Sequence, residues 1–155
     1  MVLHVVAVGR MSDLGLRAAC ADYADRVRRV WGLELHEVRS PAGRFPSAER
    51  MRREGERLLA ALPPGVVAVA LTPTGRSETS EGLARRLAEW QVHGRSVAFV
   101  LGGADGLDSQ VMQRCELTLS LSPLTFPHEL ARLILLEQLY RAATILRGTP
   151  YHRGR

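Results

Sequence analysis

Three short segments carry residue types suited to chemistry. Gly102-Gly103-Ala104-Asp105-Gly106 follows a strongly apolar run. Glycines there let a ligand come close to the backbone, whose amides can hold a carboxylate or phosphate; a plain tight turn uses the same residues. Ser120-Leu121-Ser122-Pro123-Leu124-Thr125-Phe126-Pro127 mixes hydroxyls with apolar groups just ahead of a helix. It offers an apolar wall for a flat heterocycle and backbone groups for the heterocycle's edge. Tyr151-His152-Arg153-Gly154-Arg155 gathers stacking, titratable and cationic groups at the end of the sequence. Flipped-out bases stack on such groups, although a frayed tail is the ordinary reading of a terminus.

These segments need a scaffold, and apolar runs of strand length alternate with helical periodicity along the chain. Strands are expected at Val2–Val8, Leu33–Val38, Val66–Leu71, Val97–Leu101 and Leu117–Leu121. Ser12 is placed to cap a helix carrying Leu16, Cys20, Tyr23, Val27 and Val30. Ser47 is placed to cap a second, and Ser80 to open a third. Thr72–Thr79 reads as a polar loop. A short helix is expected near Ser109–Arg114, and a last one from about Pro127 to Arg147, ended by Gly148 and Pro150. Strands separated by helices imply parallel pairing and a single α/β sandwich domain over residues 1–155. Ligands in such sheets sit beyond the carboxyl ends of the strands, which singles out the loops after Leu71, Leu101 and Leu121.

The last helix is apolar on most sides. Only a narrow polar strip remains, where Glu137 and Arg141 are spaced to pair. Such a helix needs two burial partners, its own sheet and a second copy of the chain, unless it is simply sunk deep within one chain.

Composition excludes several classes. Hydrophobic residues make up 46% of the 155 and charged residues 24%, an ordinary globular balance for which no metal or disulfide is required. Cys20 and Cys115 form no CxxC or Cys/His pattern, so they are expected to be reduced thiols of a cytoplasmic protein. There is no apolar run long enough to span a membrane and no signal-peptide pattern at the start. The net charge of +5 admits a nucleic-acid partner, but all 21 basic residues are arginine, which points to a genome-wide composition bias as readily as to RNA contact. The first strand ends Val8-Gly9-Arg10-Met11-Ser12, without the second glycine that a dinucleotide fold places there. An ordinary NAD enzyme is disfavoured on that ground.

Taken together, VAVG near the start, LGGADGL, SLSPLTFPHELARLILLEQLYRA and the terminal PYHR resemble the RlmH-type SPOUT methyltransferases over nearly the whole length. The resemblance implies a SPOUT-type parallel-sheet sandwich with a C-terminal trefoil knot, acting as a homodimer in the cytoplasm. It implies S-adenosyl-L-methionine as methyl donor, with no metal. The implied substrate is a pseudouridine of large-subunit ribosomal RNA, methylated at N3 on the assembled ribosome; neither DNA nor membrane is involved. The donor positions fall on Leu71, Gly103, Ser122, Pro123, Leu124, Thr125, Phe126 and Pro127. The tail Tyr151, His152 and Arg153 matches the motif held to serve the target base. His152 is the first candidate for proton acceptor and His128 the second. The alternatives are a non-catalytic RNA-binding domain of the same fold and a different nucleotide-dependent α/β enzyme.

Overall fold

The computed structural model describes residues 1–153, with side chains through His152. The elements in chain order are β1 (Val2–Val8), α1 (Leu14–Arg28), β2 (Gly32–Val38), α2 (Ser47–Ala61), β3 (Val67–Ser77), α3 (Ser80–Val92), β4 (Val97–Leu101), α4 (Ser109–Arg114), β5 (Leu117–Ser120) and α5 (His128–Leu146). A 3-10 turn, Pro150–Arg153, follows.

All strand pairs are parallel, in the order β2-β1-β4-β3-β5. The central β4, Val97–Leu101, is buried throughout, because helices cover both faces of the sheet. Leu3, Val5, Val69 and Phe99 face α1, α3 and α5 in the larger core. Val6, Val8, Ala98 and Val100 face α2 and α4 in the smaller one, against Leu58 and Val111. The alternation along β1 is the period-two signature of a strand buried on both sides. No described helix is long and apolar enough to cross a membrane.

The caps of α1 and α2 differ from expectation by one residue. Asp13, not Ser12, caps α1 by accepting from the Leu16 N–H at 2.8 Å. Ser12 gives its own N–H and hydroxyl to Glu129. α3 opens at Ser80 as expected; Thr79 caps it, accepting from Gly82 N–H at 3.0 Å, and the Ser80 hydroxyl donates to Gln138. At α2, Pro46 holds the cap position without a side-chain bond, and Ser47 donates to Asp105 at 3.0 Å. Each serine has been recruited by a long-range partner, and a neighbour in the sequence takes the local duty where one can.

β3 also runs further than the apolar pattern suggested. Leu71 and Arg76 both register with Leu119, so residues 72–75 leave the ladder as a bulge and the strand resumes to Ser77. Gly75 permits this: a Cβ there would stand 2.6 Å from the Leu119 carbonyl carbon.

Candidate functional site

The carboxyl ends of β3, β4 and the segment after β5 meet in one cleft of about 680 Å3. Leu71, Thr72 and Pro73 come from β3 and its bulge, and Leu101 to Ala104 with Gly106 follow β4. Leu121, Ser122, Leu124, Thr125, Phe126 and Pro127 come from the stretch leading into α5, and His128 and Ala131 from its first turn. The volume lies within the range of about 300–1,000 Å3 usual for small-molecule sites.

Seven of the eight expected donor positions therefore line a common space. Pro123 is the exception; it is exposed and points elsewhere than the cleft wall. Leu71, Leu101, Leu121 and Phe126 supply apolar walls, while the peptide groups of 102–106 and the hydroxyls of Ser122 and Thr125 supply a polar edge. The Ser122 hydroxyl accepts from Leu124 N–H at 3.0 Å and holds the loop in a local turn. Gly106 N–H donates to the Gly103 carbonyl at 3.1 Å, with Gly106 at φ +93°. The loop after β4 is thus both a tight turn and part of the wall.

Gly103 behaves differently from expectation. A side chain on it would meet the Glu54 carboxylate, at 2.9 Å from one oxygen, so the space it leaves open is filled by α2. Glu54 is 2% exposed; one oxygen accepts from the Ser40 hydroxyl at 2.6 Å and the other has no partner. Sequence reasoning missed Glu54, which sits among charged residues that read as a solvated helix face. Its neighbour Gly55 was the available signal: a Cβ on Gly55 would lie 3.1 Å from Asp108 Cβ, so α2 packs closely onto the start of α4.

The start of α5 is fixed against β1 and α1 by two buried charges. Arg132, 4% exposed, donates to the Gly9 carbonyl at 2.8 Å and pairs with Glu37 at 2.5 Å. Glu129 accepts from the Ser12 hydroxyl at 2.8 Å and the Asp13 N–H at 3.2 Å, besides the Ser12 N–H. The backbone and hydroxyl bonds from Ser12 hold its carboxyl below the ordinary range, against the opposing effect of burial. This anchoring sets His128 at the cleft, close enough that a Cβ on Gly9 would be 3.3 Å from its Nε2.

The tail lies elsewhere in the same chain. Tyr151 Oη is 3.0 Å from the Tyr23 hydroxyl and donates to Glu137 at 3.0 Å, and its ring meets Tyr140 edge-on. Burial first, then these bonds, push its phenol well above the usual range. His152 Nε2 is 2.7 Å from Glu81. Glu137 is nine residues along α5 from His128, about 14 Å at 1.5 Å per residue. Within one chain, then, His128 borders the cleft and Tyr151 and His152 do not. Arg153 closes the 3-10 turn; its side chain, with Gly154 and Arg155, lies outside the described residues.

The family model described as Predicted SPOUT methyltransferase matches residues 1–152. A ribosomal RNA large subunit methyltransferase H of Gemmatimonas aurantiaca is 46% identical over 154 residues, covering 99% of this chain and all of that protein. The protein of that name from Gluconacetobacter diazotrophicus is 48% identical over 152 residues, covering 98% and 97%. Among solved structures, a probable methyltransferase from Bordetella pertussis superposes with TM-score 0.55 at 20% identity, covering 92% of this chain and 93% of that one. A probable methylase family protein from Haemophilus influenzae gives 0.57 at 12%, covering 96% and 69%. The structural likenesses bear on the fold alone, whereas the sequence matches run end to end through every segment that builds the cleft. The chain belongs to the SPOUT methyltransferases, and within them to the family of ribosomal RNA large subunit methyltransferase H.

Proposed function

We propose that this protein transfers the methyl group of S-adenosylmethionine to N3 of a pseudouridine in large-subunit ribosomal RNA on the assembled ribosome. The observation that carries the reading is the convergence of three chain-distant loops on one cleft with apolar walls and a peptide-rich edge. Such a lining suits an adenine ring and a charged amino-acid end together. In the reaction the sulfur–methyl bond breaks as the N3–methyl bond forms, and the imide proton leaves to a base. Positioning supplies much of the rate of such a displacement. We assign His128 as the proton acceptor within the chain that holds the donor.

The proposal includes a trefoil knot and a homodimer. The segment 121–127 has to travel from β5, at one edge of the sheet, past the ends of β3 and β4 to reach β1, where Glu129 and Arg132 are fixed. A chain following that path is consistent with the family's knot. For the dimer, Leu130 and Ile134 lie one turn apart on α5, partly exposed and outside both core clusters. A second copy packed there would bury them and would bring Tyr151, His152 and Arg153 toward the partner's cleft.

Calorimetric titration tests the donor. S-adenosylmethionine and S-adenosylhomocysteine should each bind once per chain and NAD should not. Failure of both adenosyl compounds to bind the folded protein would overturn the reading.

A further inference from the structure

Outside the cleft lining, two histidines and a glutamate converge on the middle of the β1–β2 pair. His4 on β1 is in register with Glu34 on β2, and His36 follows two residues later on the same face. His4 Nδ1 is 3.3 Å from His36 Nε2 and 3.3 Å from Glu34 Oε2, and the last two atoms are 3.5 Å apart. The three donor atoms thus form a nearly equilateral triangle. Tetrahedral zinc with bonds of about 2.0–2.1 Å holds its ligands about 3.3–3.4 Å apart, so the triangle already has the spacing of three corners of such a site.

We propose that His4, Glu34 and His36 bind one divalent transition-metal ion of the zinc class, with the fourth position open to water. Two imidazoles and a carboxylate are a ligand set suited to zinc, nickel or copper. His4 Nδ1 faces both of the other ligand atoms at 3.3 Å. His4 is 6% exposed, whereas Glu34 is open to solvent and His36 partly so, which gives the ion a fixed floor and an entry path.

The site is structural in its placement. β2 is an edge strand held to the sheet by β1 alone. His36 is level with Val6, three residues and about 10 Å short of Gly9 at 3.3 Å per residue, and none of the three ligands lines the cleft. It would clamp the edge strand to its neighbour. Pattern reading looked for ligands spaced close in sequence; these come from two strands that only the parallel pairing brings together.

The test uses metal-free, tag-free full-length protein titrated with zinc chloride. One ion per chain should bind, raise Tm, and be replaceable by cobalt with the intense visible absorption of a tetrahedral site. His36→Ala and Glu34→Gln change partly or largely exposed side chains, so both should fold and bind S-adenosylmethionine as the parent does. Each should weaken zinc at least tenfold and abolish the rise in Tm. Absence of zinc binding by the parent protein would overturn the proposal. So would undiminished binding, with an unchanged cobalt spectrum, in both variants.

Discussion

A Cβ atom on Gly103 would stand 2.9 Å from Oε2 of Glu54, a carboxylate that is 2% exposed. The loop after β4 thus rests on α2 at Gly103, a position where it has no side chain. Glu54 in turn is held by the Ser40 hydroxyl.

The cleft should therefore be sensitive to Gly103→Ala for a reason behind the loop, not within the ligand space. We expect the substitution to weaken S-adenosylmethionine binding, with an overpacking cost of about 1–3 kcal/mol. Combining it with Glu54→Ala should return part of that loss, as a coupling of about 0.5–3 kcal/mol in a double-mutant cycle. Strict additivity by calorimetry would show that Glu54 is not the obstacle.

Acid stability should depend on Glu129. Its carboxyl is held below the ordinary range by the bonds from Ser12, so its contribution is present above the unfolded value and is lost as pH falls through the folded one. Glu129→Gln should lower Tm most near neutrality. The gap should hold as pH falls from neutrality, and the two curves should converge only below the ordinary carboxylate range. A gap that persisted below that range would contradict the assignment.

Alkaline stability should depend on Cys115. Burial pushes its thiol up from 9.0 to about 11. A raised folded pKa means that the contribution is intact below pH 9.0 and is lost as pH rises toward about 11. Cys115→Ala should flatten that part of the stability curve, measured by denaturant unfolding. The same burial predicts slow alkylation of Cys115 in the native protein at neutral pH.

The strongly patterned parts of the scaffold were legible in the residues. β1, β4 and α4 begin and end where their apolar runs and flanking glycines or polar residues placed them. The three loops after Leu71, Leu101 and Leu121 were identified from the parallel-sheet rule, and they do share one cleft. What escaped was set by distant partners. Ser12 and Ser47 looked like caps, but Glu129 and Asp105 claim their hydroxyls. Thr72–Thr79 looked like a loop because its residues are polar, yet pairing with β5 returns the chain to the ladder after the bulge. Arg132 was not singled out at all; only the approach of β1 and β2, through Gly9 and Glu37, shows it buried. The last helix was expected to need a second cover, and α1 and α3 supply much of it in the same core.

The docking of Tyr151 on Glu137 and Tyr23 makes the tail's role testable. Ala104→Trp, an exposed position on the cleft rim, should plug the cleft without disturbing the core. Deletion of residues 151–155 should remove the target motif. Each homodimer should be nearly inactive. If the tail serves the partner's cleft, a heterodimer of the two variants has one intact site and should recover roughly half of the parent activity, given independent sites. A folded, dimeric but dead heterodimer would place the tail at its own cleft, once coupling between sites is excluded by pairing each variant with the parent.

The most direct measurement is methyl transfer itself. Ribosomes from a strain lacking the endogenous enzyme would be incubated with this protein and methyl-labelled S-adenosylmethionine, and the large-subunit RNA digested and examined by mass spectrometry. Label should appear as N3-methylpseudouridine at one position, far faster on assembled ribosomes than on naked RNA fragments, and should fall steeply as salt rises. Folded, S-adenosylmethionine-binding protein that transfers no label to ribosomes, or that labels a different nucleoside, would contradict the account.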